Sequence, residues 1–576
     1  PSGGGLSGGL QWLNTPGHMI NTASGTVDSF IYPDYATATY DDDGNPATPE
    51  VAWPEIFQRF ATGTRRIDDA VGDLKQLLKD LGIQTNTLVI FTSDNGPTTE
   101  DYLNLSPRYA ANFFDNFGPL DGVKRDNWEG GIRMPTFAYW PGTIAAGTLN
   151  QTPSQFHDWL PTFIDLAGLP APARTDGVSL VPTLLGTGTQ APSTIYIEYY
   201  DVGSATPNYA EFEPDHRNRS RNQMQVVGLN GYQGVRYNIN SQTDDFEIYD
   251  VIHDPKETTN LAVNPAFAPL QQEMKDRALQ LRRPDADAPR PYDGDYVPAA
   301  ENVTATNGVV NYACYEGDWP WVPDTAMLHP VSTGRANGLD LSVRSRDTNF
   351  AIAFSGLITA PADGDYTFYL SSDAGAEFRV HDATVIDDDF NHTDGEVSAV
   401  IRLKAGMHPF RLTYRHLSGT QLLNLKYSGP GISKQAVPLS AFSAPLASLG
   451  AAEWYASFFG DGSPNWSADG DGDGLSRLDE YAFGGNPFAP DSQVAAISPA
   501  VAGGHLEITY RRRNTDPSLS FQLQSSADLR SWVALAGEEI SVTPAALAGF
   551  DEVRFRASRS VSEDSAVFVR LAVEWR

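Results

Sequence analysis

A chain of 576 residues is too long for one hydrophobic core, and its apolar fraction of 41% fits about three or four folded domains. The net charge of −32 disfavours nonspecific nucleic-acid binding, which needs a basic surface, but leaves room for a locally positive site that takes anions. One cysteine, Cys314, excludes an intrachain disulfide framework, and no apolar run reaches the roughly 18 residues of a membrane-spanning helix.

The opening stretch "PSGGGLSGGL" has neither the basic nor the apolar region of a signal peptide. It reads as the interior of a loop, so the chain is expected to be part of a longer protein. Residues 1–52 stay loop-like. His18 in "TPGHMIN" reads either as a pocket residue or as a solvated loop histidine. "DDDGN", 41–45, begins like a calcium loop but lacks an acid at the twelfth position, which favours a solvated acidic loop.

From Trp53 the apolar residues Ile56, Phe57, Phe60, Ile67, Val71, Leu74, Leu78 and Leu81 fall at helical spacing. Pro54 suits the first turn and Gly82 the stop. Thr87 to Phe91 then reads as a fully buried strand, giving the helix–strand rhythm of an α/β domain with a parallel sheet. "MPTFAYWPG" predicts another strand, and a helix is expected over about 153–167. The Pro- and Asp-rich stretch 284–304 predicts a linker. Beyond it, "FAIAFSGLITAP", "GDYTFYLSS", "AEFRVHD", "VSAVIRLKAG", "HPFRLTYRH" and "LLNLKYSG" alternate apolar and polar, which predicts a β-sandwich over 305–446. Residues 447–490 read as a short helix–loop–helix stretch. Residues 491–576, with "HLEITYRRR", "SFQLQSS", "EVRFRASR" and "FVRLAVEW", read as a further small β domain.

Chemistry concentrates where the first apolar strand stops. In "VIFTSDNGP", Asp94 and Asn95 sit just past the strand end, where ligands of open α/β sheets bind, and Gly96 lets the backbone turn away. Two adjacent hard oxygen donors suit Ca²⁺ or Mg²⁺, although the same pair could simply cap the next turn. "GVKRDNWEGGIRMP", 122–135, adds Lys124, a compact point charge suited to an anionic oxygen. Its twin glycines after Glu129 mark a tight backbone approach.

With these motifs in hand, the sequence resembles the sulfatase family of the alkaline-phosphatase-like superfamily. "TSDNG", the Lys leading into "EGGIRMP", "HDWLPTFIDLAGLPAP", "DGVSLVPTLLG" and "FEIYDVIHDPKETTNLA" occur in family order. The resemblance implies that Asp94 and Asn95 ligate an active-site calcium and that Lys124 contacts the sulfate oxygens. It also implies a formylglycine nucleophile, made from a Cys or Ser in Cys-x-Pro-x-Arg, whose hydrate attacks sulfur. No such motif is present, and Cys314 lies in "YACYEGD", a different context. The paired aspartates and the further Lys and His of the family's sulfate pocket are also missing, so they are expected upstream and this chain alone is expected to be inactive.

Two appended signals remain. "DGDGDGLSRLDE", 469–480, places Asp469, Asp471 and Asp473 at loop positions 1, 3 and 5. Gly474 stands at 6, the Leu475 carbonyl at 7 and Glu480 at 12. This spacing resembles an EF-hand or dockerin-type calcium loop, with Arg477 an unusual residue at position 9. The region 305–446 resembles the protective-antigen-type domain found beside carbohydrate-active enzymes, carried by "PADGDYTFYLSSDAGAEFRVHDATVID" and "LKAGMHPFRLTYRH". Asp373 stands at a loop tip where a glycan or calcium could bind, and a spacer role fits the domain equally. "HRNRSR", 216–221, could meet a second sulfate or form a salt-bridged loop.

The expectation is therefore a multidomain protein, a sulfatase-type α/β domain over 1–283 followed by β domains. Its expected partners are a sulfated carbohydrate substrate and a glycan on the β-sandwich, with no nucleic acid and no membrane span, in a secreted, periplasmic or cell-surface setting. A phosphatase or phosphonate monoesterase of the same superfamily, and a noncatalytic carbohydrate-binding or adhesive protein, are the alternatives.

Overall fold

The computed structural model describes residues 10–12, 19–21 and 30–575, except 100–106, 188–189, 301–302, 304, 391, 393–394, 446–450, 452–453, 455–464, 470–471, 486–491, 517, 528, 546–548 and 561–567. The chain divides into two compact units. One comprises 1–167, 176–275 and 290–292, and the other 168–175, 276–289 and 293–576. The architecture is multidomain, mixed α/β followed by β. Among the described residues no helix is long and apolar enough to cross a membrane.

In the first unit, the predicted helix runs Glu55–Asp80, and the chain leaves it through Gly82 at φ +69°. Its first turns bury Ile56 and Phe57 against Tyr109, Phe113 and Phe117, with the Phe57 and Phe113 rings stacked at 3.7 Å. Its later apolar residues stay open: Ile67, Leu74, Leu77 and Leu81 are all exposed. The following strand, Val89–Thr92, corrects two expectations. It pairs antiparallel with Thr136–Tyr139, Val89 opposite Tyr139 and Thr92 opposite Thr136, and Phe91 is exposed. A parallel pair needs a helical crossover on the sheet face, and the 93–135 connection is instead spent on a folded loop. With one neighbour among the described residues, the strand is not buried on both faces.

The expected helix over about 153–167 is shorter, a 3₁₀ turn at Phe156–Asp158 leading into Trp159–Leu166. An antiparallel four-stranded sheet, unanticipated from the sequence, follows. Its order is Glu247–Tyr249, Tyr232–Arg236, Ser220–Leu229 and Tyr196–Ala205. Met224, Val226, Val235 and Tyr249 pack on Trp128, which brings this sheet against the loop that bears Lys124.

In the second unit two antiparallel sheets face each other. One contains Phe350–Ala360, Gly406–His416 and Ala376–Val380; the other contains Val397–Leu403, Gly364–Ser372 and Leu423–Gly429. The predicted alternation is visible in Gly364–Ser372, where Tyr366, Phe368, Leu370 and Ser372 are buried and their neighbours are not. Phe354, Phe378, Leu412 and Tyr427 complete the core between the sheets. Further on, the helix Arg477–Phe483 packs Tyr481 and Phe483 on Leu519, so this helix shares a core with the C-terminal strands.

Candidate functional site

The strand Val89–Thr92 delivers Asp94 and Asn95 to a turn that is locked backbone to backbone. Gly96 N donates to Gly131 O (2.9 Å), and Lys124 N donates to Pro97 O (2.8 Å). The glycines are sterically required here. A Cβ on Gly96 would stand 1.9 Å from Gly130 O, and one on Gly131 would stand 2.2 Å from Asp126 O. Three backbone segments thus meet with no room for side chains, which is how residues as far apart in sequence as Pro97 and Lys124, or Gly96 and Gly131, reach one place.

The Lys124 turn is strained and strongly braced. Gly122 and Arg125 have φ of +99° and +80°, and the latter is unusual for a residue with a side chain. Asp126, buried, accepts from Val123 N (3.0 Å), Thr206 Oγ1 (2.7 Å) and Arg221 Nε (2.8 Å). Asn127 N and Trp128 N both donate to Tyr237 Oη (2.7 and 3.2 Å). Trp128 is fully buried between the rings of His216 (3.9 Å) and Tyr237 (4.8 Å), and His216 Nδ1 pairs with Asp121 Oδ2 at 2.8 Å.

Behind it lies a pair of buried carboxylates. Glu257 Oε2 accepts from Glu129 N (2.7 Å), and Gln233 Nε2 donates to Glu129 Oε1 (3.0 Å). Burial, and next the neighbouring Glu129, push the Glu257 carboxyl well above its ordinary range. Burial raises Glu129 too, against the pull of Gln233 and Arg133. The "DPKETTNLA" motif therefore acts as a clamp on the "EGGIR" turn. Asp158 of "HDWLPT" has the same kind of role: its carboxylate accepts from Val178 N (2.9 Å), Gln155 N (2.7 Å) and Ser193 Oγ (2.6 Å).

Asp94, Asn95 and Lys124 line one cavity of about 830 Å³, together with Arg125, Arg133, His157, Trp159 and Tyr196. Asn95 Nδ2 donates to Gly96 O (2.8 Å), so its carbonyl oxygen is the end left to a cation. Asp94 and Asn95 therefore fit a hard divalent ion chemically, as two of the six to eight oxygens calcium takes. The other carboxylates of the wall are engaged, Asp126 by Arg221 and Glu129 by Arg133 (3.1 Å).

Other sequence candidates fall elsewhere. His18 and Asp471 lie outside the described residues. Asp41, Asp42 and Asp43 form an exposed loop stitched by its own backbone, with Gly44 N on Asp41 Oδ1 at 2.8 Å. "HRNRSR" is built inward. Arg217 donates to Phe212 O, Arg219 pairs with Glu247, and Arg221 pairs with Asp126, so none of the three is a loose surface cation. Asp373 is likewise occupied by His416 Nδ1 (2.6 Å) and Leu422 N (2.8 Å), and it shapes its loop instead of presenting a free carboxylate.

In the 469–480 loop, Gly472 N and Gly474 N donate to the Asp469 carboxylate (2.8 and 3.0 Å), and Leu475 N donates to Asp473 Oδ1 (2.9 Å). Ser476 and Asp479 form a capping box on the helix behind, and Glu480 is buried. Asp126, Arg221, Tyr237 and Glu257 were missed in the sequence because their partners lie about a hundred residues away. The only local signal was an acid in a Gly-bounded turn.

Parts of the chain match known protein families. The "Sulfatase" family model matches residues 26–169, and that of "N-sulphoglucosamine sulphohydrolase, C-terminal" matches 117–284. A PA14 domain matches 342–441. Sulfatase-type domains thus occupy 26–284, followed by a PA14 β-sandwich. The chain is 40% identical over 129 residues to N-acetylgalactosamine-6-sulfatase of Mus musculus, covering 22% of this chain and 23% of that protein. It is 41% identical over 138 residues to arylsulfatase A of Homo sapiens, covering 24% and 25%. The chain spans about a quarter of the length of these relatives. Among solved structures, the phosphonate monoester hydrolase of Agrobacterium radiobacter is 21% identical, with a TM-score of 0.27 over 39% of this chain and 40% of that one. The PA14 domain of the MpAFP antifreeze protein is 16% identical, with a TM-score of 0.21 over 25% and 96%.

Proposed function

We propose that this chain carries part of the active site of a calcium-dependent sulfuric ester hydrolase that acts on sulfated carbohydrates. The observation that carries the reading is the convergence of Asp94, Asn95 and Lys124 on one cavity, held by the Gly96–Gly131 lock. Asp94 and Asn95 would hold the calcium, which when bound polarises sulfate oxygens. Lys124 binds a sulfate oxygen and stabilises charge that builds during S–O cleavage. The Asp126–Arg221 pair keeps the lysine in place, and Trp159 and Tyr196 offer apolar faces to a sugar ring.

The nucleophile, expected as formylglycine, and the remaining calcium ligands are assigned to sequence preceding Pro1. The exposed apolar residues Ile67, Leu74, Leu77, Phe91 and Phe137 support this: such a surface is what further α/β structure would cover. The loop 469–480 is assigned a second Ca²⁺, held by Asp469, Asp471, Asp473, the Leu475 carbonyl and Glu480. The PA14 β-sandwich is assigned to glycan binding, in a secreted, periplasmic or cell-surface protein.

The test is sulfate release from sulfated mono- and disaccharides by the longer protein that includes its preceding sequence, with this chain alone as the inactive control. Hydrolysis of phosphate or phosphonate monoesters in place of sulfate esters would overturn the reading. So would turnover by this chain unaided, which lacks the nucleophile the mechanism requires.

A further inference from the structure

A second cavity, of about 380 Å³, shares no lining residue with the one that holds Lys124. Its wall comes from the 213–219 turn, the strand Glu247–Tyr249 and the 257–260 segment. His216 belongs to that wall although it is only 2% exposed, with its ring stacked on Trp128. Its Nδ1 lies 2.8 Å from Asp121 Oδ2, and the same oxygen accepts from Glu213 N (2.6 Å). A carboxylate oxygen that only accepts fixes the proton of the neutral ring on Nδ1, which leaves a lone pair on Nε2. Nε2 has no partner among the described residues.

The rest of the wall offers acceptors as well. Glu213 gives one oxygen to Lys256 (3.0 Å), and the exposed Asp215 carboxylate has no partner among the described residues. Tyr249 spends its hydroxyl proton on Glu247 (2.8 Å). Arg219 is engaged by Glu247 and lies over the Trp128 and Tyr237 rings. Asn260 Oδ1 accepts from Ile248 N and Ala262 N, so its Nδ2 is the spare donor. Burial pushes the Glu257 carboxyl well above its ordinary range, so it is left out of the charge balance. That balance sets Glu213, Asp215, Glu247 and, behind His216, Asp121 against Arg219 and Lys256. Acceptors and negative charge prevail, which disfavours sulfate or phosphate and suits a cation rich in donors. A primary ammonium group is such a cation, a compact charge with three N–H donors. The volume is at the low end for small-molecule sites, with room for about one sugar ring.

We propose that this cavity binds a protonated primary amine, carried by a molecule of about one sugar ring, with His216 Nε2, Glu213 and Asp215 as acceptors. The inference stands apart from the reading of the Lys124 cavity, because the two share no residue. The test is calorimetry on the full chain, in an amine-free buffer at fixed ionic strength. D-Glucosamine should bind with a Kd on the order of millimolar, as for a ligand of that size. N-Acetyl-D-glucosamine, the same ring without the charge, should bind about tenfold or more weakly. Cadaverine identifies the source of the amine. Binding equal to glucosamine assigns the site to primary amines at large, weaker binding assigns it to an amino sugar, and either supports the inference.

His216→Phe keeps a ring on Trp128 and removes Nε2, and Asp215→Asn changes only an exposed carboxylate. Each should weaken glucosamine about tenfold or more. Asp215→Asn should melt with the parent chain, so it decides the matter even if His216→Phe fails to fold. No binding of glucosamine by the folded parent chain overturns the inference. Equal binding of the acetylated sugar overturns it too, as does an affinity unchanged in Asp215→Asn or in folded His216→Phe.

Discussion

Removing the Asp126 carboxylate is the sharpest single perturbation of the site's framework. The Asp126 and Arg221 side chains are 0% and 6% exposed, with Nε 2.8 Å from Oδ1. Asp126→Ala removes the closest carboxylate from the Arg221 guanidinium, leaving it Asp201 at 3.6 Å and Ser204 Oγ at 3.1 Å, and strands the Val123 N–H and the Thr206 hydroxyl in the interior. Breaking a buried pair from one side costs about 3–5 kcal/mol where the charge is left uncompensated, and the remaining Asp201 contact puts this case at the lower end. A domain is stable by only about 5–15 kcal/mol, so about a fifth or more of the margin is lost. For a unit of this size the melting point should fall by roughly 6–20 °C. Urea unfolding of the full chain, followed by tryptophan fluorescence, measures this on the transition that exposes Trp128. Arg221→Met should cost less, because it leaves no buried cation. Once Asp126 is alanine, Arg221→Met should restore stability, a coupling of about 2 kcal/mol or more. An Asp126→Ala cost within about 1 kcal/mol, or strict additivity in the cycle, would refute the assignment of Asp126 as the brace of the Lys124 turn.

Three further outcomes are expected. In any protein that contains this chain and releases sulfate, Lys124→Ala should lose on the order of a hundredfold or more in kcat, as for a lost electrostatic stabiliser, and sulfate-release kinetics check this. Calorimetry should show the 469–480 loop binding Ca²⁺ with a Kd of about 10⁻⁴ to 10⁻³ M, lost in Glu480→Ala and retained in Asp94→Ala; an unchanged isotherm in Glu480→Ala counts against it. The Glu257 carboxyl, raised in the folded state, contributes stability that is full below the ordinary pKa of 4.5 and is lost as pH rises through the higher folded value. Urea midpoints should therefore fall with rising pH more steeply in the parent chain than in Glu257→Gln. Identical slopes would show that the proton is not held there.

What the sequence determined by itself is whatever depends on local periodicity and local stereochemistry. The 3.6-residue spacing from Ile56 to Leu81 specifies the helix, and alternation specifies strands such as Gly364–Ser372 and His505–Arg513. The order of short motifs marks Asp94, Asn95 and Lys124 before any coordinate is known, because their residue types carry the chemistry. Pairing partners are another matter. Nothing in "VIFT" says that Thr136–Tyr139 will lie antiparallel beside it, since both orientations suit the same apolar run. Nor does "HRNRSR" reveal that three arginines turn inward to backbone and carboxylate partners. Likewise Glu257 looks like a surface acid until it is found against Glu129, 128 residues away in sequence. Only the tertiary structure decided these, because burial and charge pairing are properties of what surrounds a residue in space, and the sequence records only what surrounds it along the chain.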